Sequence, residues 1–287
     1  MFFAQSRFKK GDIIMYKIGL SSSAFALTED NFRALKKSGM DAIEISMPSE
    51  LYGLINYNEI SNLSKRYNVD LWSYHLPFWP FTEIDISSAN GELRTNSIKY
   101  YTELIKKAAD IGIDKFIVHP SGEPIGNDVR EERIKCSMES LDTLAEIAHR
   151  HGAVIAVEDL PRTCLGNTAN DIQRLISAND KLRVCFDTNH LLCDTNMNFI
   201  EKLGDKIVTL HVSDYDFIDE KHWLPGEGLV DWAELITALQ KINYGGVWLY
   251  EINLSNPKAL TRSRDLTFED FVDNARALFA GEQPKKI

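Results

Sequence analysis

Six short apolar or β-prone runs, spread over most of the chain, each end on a side chain able to bind a divalent ion. WSYH closes on His75, FIVH on His119, IAVE on Glu158, VCFD on Asp187, VTLH on His211 and WLYE on Glu251. Buried parallel strands read as apolar runs of this length, and helical segments separate them here as crossover connections require. A donor at the last residue of each run places six donors on one face of one sheet.

The alternation extends over the rest of the chain. KIGL (17–20) and AIEIS (42–46) predict two earlier strands and VDLWSYH (69–75) the third; the other five fall at 116–119, 154–158, 182–187, 207–211 and 247–251. Apolar spacing predicts helices over 29–38, 58–67, 93–111, 130–151, 169–177, 199–203 and 268–279, and one opened by Asp231 as N-cap. Gly39, Gly112 and Gly152 stand where three of these helices should stop. Strands alternating with helices imply parallel pairing with right-handed crossovers. Eight such units in 287 residues suit one α/β domain, a closed (β/α)8 TIM barrel, which typically takes about 250 residues. An open doubly wound sheet usually carries a glycine-rich turn after its first strand; here that turn is SSSAFAL. The barrel is expected over residues 16–280, with an N-terminal extension at 1–15 and a C-terminal tail at 281–287. Either Met1 or Met15 can serve as the start.

The net charge of −10 argues against nucleic acid as a partner, because phosphate-backbone binding is driven by Lys and Arg. The four cysteines form no CxxC pair, as expected of free thiols in a reducing cytoplasm. No apolar run approaches the roughly 18 residues of a membrane span, and MFFAQSRFKKGDII does not read as a signal peptide. Cytoplasmic localisation is therefore expected. No strand ends on the lysine that a Schiff-base aldolase needs, and no GxxxxGK[ST] loop is present.

Taken singly, a strand-end His is most often a hydrogen-bonded structural residue, and a strand-end carboxylate often caps the next helix. Taken together, these readings fail. Buried carboxylates are unfavourable unless paired or metal-bound, and Glu158, Asp187 and Glu251 would meet in the barrel mouth without an obvious basic partner. A divalent cation supplies the missing charge. Glu158, Asp187, His211 and Glu251 come from strands five to eight and form a mostly oxygen shell, which suits Mn²⁺, Mg²⁺ or Co²⁺, with Zn²⁺ as a further alternative; Mn²⁺ is the leading expectation.

AVEDLPR (156–162), CFDTNH (185–190), TLHVSD (209–214), HWLPGEGLVDW (222–232) and LYE (249–251) carry a resemblance to the xylose-isomerase-like TIM barrels, the group that includes sugar phosphate isomerases/epimerases and endonuclease IV. It covers about residues 17–280. The resemblance to the ketose 3-epimerase branch implies one ion bound by Glu158, Asp187, His211 and Glu251. It also implies that Glu158 and Glu251 are the acid/base pair, moving a proton through an enediolate held by the metal, with His190 on a substrate hydroxyl. The endonuclease branch implies additional ligands at His75, His119, His190, Glu220 and His222, with Glu220 standing where that branch has Asp. The expected activity is thus isomerisation or epimerisation of a sugar or keto-sugar. A metal-dependent lyase or hydrolase of a sugar derivative or phosphodiester is the alternative, and a non-catalytic metal-bearing binding subunit a third reading.

Aromatic faces stack on the C–H faces of sugars, so Phe78, Trp79, Phe81 and Trp223 are expected around the pocket. Arg162 is a candidate for a substrate carboxylate or hydroxyl. Glu123 and Asp214 are candidates to orient ligands, and Gly226 and Gly228 to serve loop geometry. A small carbohydrate is the expected partner, no membrane association is expected, and a homo-oligomer is compatible with the sequence.

Overall fold

Strands form where the apolar runs lie. In the computed structural model, which describes residues 15–260 and 262–287, they are β1 (Lys17–Ser21), β2 (Ala42–Ile45), β3 (Asp70–His75), β4 (Lys115–Val118), β5 (Val154–Glu158), β6 (Arg183–Asp187), β7 (Ile207–His211) and β8 (Val247–Tyr250). Each pairs in parallel with its neighbour, and β1 pairs with both β2 and β8. The seam between β7 and β8 closes just past β7. There Val212 bridges Tyr250, and the Val212 amide donates to the Leu249 carbonyl at 2.8 Å. The chain is a single-domain (β/α)8 TIM barrel with eight parallel strands. The extension expected at 1–15 lies, Met15 apart, outside the described residues.

A helix follows each strand: α1 (Glu29–Ser38), α2 (Tyr57–Tyr67), α3 (Gly91–Ala109), α4 (Arg130–Arg150), α5 (Ala169–Ile176), α6 (Asn196–Leu203), α7 (Trp232–Lys241) and α8 (Phe268–Phe279). Thr28, Asn56, Asn90, Thr168, Thr195 and Asp231 each accept a hydrogen bond from a first-turn amide that has no partner inside its helix. Two of these caps correct the sequence expectation. Asn90 starts α3 at Gly91 rather than at 93, and Thr195 starts α6 at Asn196 rather than at 199. Strands β4 and β8 also end one residue early, so His119 and Glu251 are the first residues after them. No helix among the described residues is long and apolar enough to cross a membrane.

The two-residue period of a strand sorts side chains to opposite faces. Ile155 and Val157 of β5 belong to the main core, shared with helix residues such as Leu144 and Ile172. Ala156 between them belongs to a separate small cluster with Ile117 and Cys185, and Ala42, Val247 and Leu249 form another. These two clusters fill the barrel interior. Small residues there are required by space: a Cβ on Gly19 of β1 would lie 2.7 Å from Val247 Cγ1 and 2.9 Å from Leu249 Cδ1. One period further along the same faces stand His119, Glu158, Asp187 and Glu251. The apolar plug thus becomes a ring of donors at the C-terminal end of the barrel, the end on which such barrels place their sites.

Candidate metal centre

Glu158, Asp187, His211 and Glu251 each offer a donor atom within 4.8 Å of the others. Glu158 is the hub. Its Oε1 lies 2.9 Å from His211 Nδ1, and its Oε2 lies 3.1 Å from His75 Nε2 and 3.2 Å from His119 Nε2. Glu251 Oε2 lies 3.5 Å from His211 Nδ1. All are buried except His119 and Glu251, which are half-buried at the edge of the cleft.

The donor set fits a divalent ion on two observations. Asp187 Oδ1 accepts from the Asn189 amide at 2.7 Å, but its Oδ2 is buried with no hydrogen-bond partner. An unpartnered buried carboxylate oxygen is unfavourable, and a cation satisfies it. Ring tautomers provide the second. His75 Nδ1 faces the Leu76 carbonyl at 2.9 Å. A carbonyl only accepts, so in the neutral ring Nε2 is a lone pair, and it faces a carboxylate oxygen. Two acceptors 3.1 Å apart are held together by a proton or by a cation between them.

The carboxylates differ in their proton affinity. Burial pushes Asp187 up to about 6, against the opposing influence of His190. Burial acts on Glu158 in the same direction, but His211 and His119 outweigh it and hold this carboxyl well below its usual range. In Glu251, too, burial is outweighed, chiefly by His211, and the carboxyl is lowered.

Two buried carboxylates that contact the donor residues went unnoticed in the sequence. Glu44, in the middle of AIEIS, is fully buried on β2. It accepts from Ser73 Oγ at 2.8 Å, and the same oxygen lies 3.1 Å from His211 Nε2. Nδ1 of the same ring faces Glu158 Oε1 at 2.9 Å, so an ion bound on Nδ1 would leave the ring proton on Nε2, toward Glu44. The signal was present: a carboxylate inside an apolar strand run needs a partner. Asp159, next to Glu158, accepts from the Asp187 amide at 2.8 Å, and its carbonyl faces His190 Nδ1 at 2.8 Å.

An outer group gathers His190, Glu220 and His222. His190 Nδ1 lies 2.8 Å from the Asp159 carbonyl and His222 Nδ1 3.0 Å from the Glu251 carbonyl, so in each ring the backbone contact is made by Nδ1 and not by Nε2. His190 Nε2 lies 3.4 Å from Glu220 Oε2. This hydrogen bond with His190, helped by Arg162, outweighs burial and holds Glu220 at about 2. Arg162 forks onto Glu123 at 2.6 and 3.1 Å and also meets Asp219 Oδ1 at 3.0 Å and Glu220 Oε1 at 2.9 Å. Arg162 (φ 53°) and His222 (φ 50°) both have left-handed backbone, a strained conformation for such residues that concentrates at functional sites.

The groups open into a cleft of about 320 Å³ whose walls include Phe78, Trp79, Arg162, His190, Glu220 and Glu251. Phe78 stacks on His119 with ring centroids 4.1 Å apart, and Trp79 is 59% exposed. Trp223 corrects an expectation: it is buried and is not among the residues lining the cleft. Its backbone pairs with Asp214 in an antiparallel bridge. Asp214 orients no donor directly. It accepts from the Gly226 and Val230 amides and the Trp232 indole, and so builds the loop that carries His222. Gly228 packs against Asp214 too closely for any Cβ, and Gly226 has φ 94°. Glu123 serves Arg162 rather than a donor of the inner group.

A family model described as "Xylose isomerase-like TIM barrel" matches residues 32–269. An uncharacterised protein of Methanocaldococcus jannaschii is 26% identical over 92% of this chain and 88% of its own length. The D-psicose 3-epimerase of Ruminiclostridium cellulolyticum is 26% identical over 73% of each. The crystal structure of a D-tagatose 3-epimerase-like protein superposes with a TM-score of 0.74 at 25% identity, over 83% of this chain and 90% of that one.

Proposed function

Because the chain belongs to the xylose isomerase-like TIM barrel family, we propose that it is a divalent-ion-dependent isomerase or epimerase of a sugar or keto-sugar. The observation that carries this reading is the pair Glu158 and Glu251: both line the cleft, both reach one candidate ion group, and they stand on strand ends three positions apart in the barrel. A divalent ion held by Glu158, Asp187, His211 and Glu251, with Mn²⁺ the leading candidate and Mg²⁺, Co²⁺ or Zn²⁺ the alternatives, would supply the positive charge that acidifies a C–H next to a carbonyl.

The side chains account for the rest. Glu158 and Glu251 both favour the ionised form, so one can take a proton from the carbon next to the carbonyl. The other, arriving from a different strand, returns a proton to the opposite face or to the neighbouring carbon. His190, fixed by Asp159, presents Nε2 to a hydroxyl. Phe78 and Trp79 cover an apolar sugar face and limit water. The epimerase names among the relatives support this assignment.

The test is proton exchange. The metal-loaded protein, incubated with a panel of ketoses in D₂O, is expected to place deuterium on a carbon next to the carbonyl. Glu158→Gln and Glu251→Gln are expected to lower exchange at least a hundredfold. Exchange that is absent with every ketose, or that is unaffected by both substitutions, overturns the proposal.

A second reading draws on the number of donor groups. His75–His119–Glu158 and His190–Glu220–His222 stand beside the inner group, and sites holding more than one ion favour hydrolysis. Cleavage of a sugar derivative or phosphodiester without solvent exchange would support it. The net charge of −10 opposes a nucleic-acid substrate.

A further inference from the structure

The inner and outer donor groups differ in one respect that bears on how many ions the cleft holds. The ion-pairing partners of Glu44, Glu158, Asp187 and Glu251 are all imidazoles; among the described residues no Lys or Arg forms an ion pair with any of them. Glu220, the one carboxylate of the outer group, is paired with Arg162 through Oε1 at 2.9 Å while its Oε2 faces His190. Arg162 is the only Lys or Arg among the described residues lining the cleft. It is locked in place by Glu123 and Asp219 from two other loops.

We infer that Arg162 sets the ion count: its guanidinium occupies the charge role of a cation at His190–Glu220–His222, so the inner group takes up a divalent ion and the outer group does not. This rests on the metal-centre reading above. The outer geometry alone does not forbid an ion. One nitrogen each of His190 and His222 and an oxygen of Glu220 lie within 4.8 Å of one another, so small side-chain shifts would bring them to bonds of about 2.0–2.2 Å to a common centre. What opposes it is charge. A guanidinium stays protonated at any working pH, and a like charge on the same carboxylate weakens that carboxylate's attraction for a second cation. The fork onto Glu123 and the contact with Asp219 keep the guanidinium from swinging away from Glu220.

The test counts zinc per chain by elemental analysis after equilibration with Zn²⁺ and desalting. The wild-type chain and His222→Ala are expected to carry the same number. Arg162→Gln is expected to carry one zinc more than wild type, Arg162→Gln/His222→Ala to return to the wild-type number, and Arg162→Lys, which keeps the charge, to match wild type. Loss of one zinc in His222→Ala overturns the inference, and this arm holds even if the Arg162 variants fold poorly. An unchanged count in Arg162→Gln, or a gain in Arg162→Lys, also overturns it. No zinc in any of the proteins overturns the metal-centre reading itself, a separate result.

Discussion

Glu44 and His211 lie 167 positions apart in the chain and meet at the barrel mouth at 3.1 Å. A carboxylate on the far nitrogen of a ligating imidazole fixes its tautomer and raises its basicity, and removing such a partner typically lowers metal affinity about 10–100-fold. Glu44→Ala is therefore expected to weaken divalent-ion binding by about that factor, read by competition with a chromogenic chelator. An affinity equal to wild type would remove Glu44 from the site. This residue was legible in principle, because AIEIS buries a carboxylate, but nothing near it in sequence names its partner. Trp223 fails in the opposite sense. Its place beside His222 suggested a cleft wall, yet it is buried and does not line the cleft.

Helix α8 closes the barrel domain, and Thr267 and Asp270 form its capping box. The Asp270 carboxylate accepts from the Thr267 amide at 2.7 Å and is bridged by Arg264. The Arg264 hydrogen bond, against burial, holds Asp270 at about 2, below the usual aspartate value of about 3.9. The unfolded chain thus takes up this proton first as pH falls. The stabilisation is complete above about pH 4 and is lost as pH falls toward 2. Asp270→Asn is expected to remove this part of the acid sensitivity from unfolding curves recorded between those limits, and Asp270→Ala to destabilise the fold by about 1 kcal/mol near neutral pH. On β1, Gly19→Ala drives a methyl against Val247 and Leu249. It is expected to cost about 1–3 kcal/mol in denaturant unfolding, the usual range for overpacking. A neutral result would mean that the interior plug can shift.

Across the whole molecule, the barrel brings Glu44, Glu158, Asp187 and Glu251 to one end, where among the described residues their ion-pairing partners are all histidines. A ligand that binds the folded chain alone stabilises it by RT ln(1 + [L]/Kd), about 2.7 kcal/mol at a hundredfold excess over Kd. Stripping divalent ions with a chelator is expected to lower the unfolding temperature, and restoring the preferred ion to recover it. A midpoint insensitive to every divalent ion would contradict the candidate centre. The architecture itself was readable from eight alternations of apolar run and helix, because strand and helix periods are written in residues only two to four positions apart. The strand-end donors followed from the same periodicity: His119, Glu158, Asp187 and Glu251 each stand one strand period beyond a residue of the apolar plug. The sequence alone therefore determined the barrel and the end of it at which the donors gather. Tertiary structure decided which charges became partners: Glu44 with His211, Arg162 with Glu220, Asp214 with its own loop. Such pairings depend on barrel closure and loop path, which bring together atoms from distant segments, and electrostatic and hydrogen-bond energies depend on those through-space distances rather than on separation along the chain.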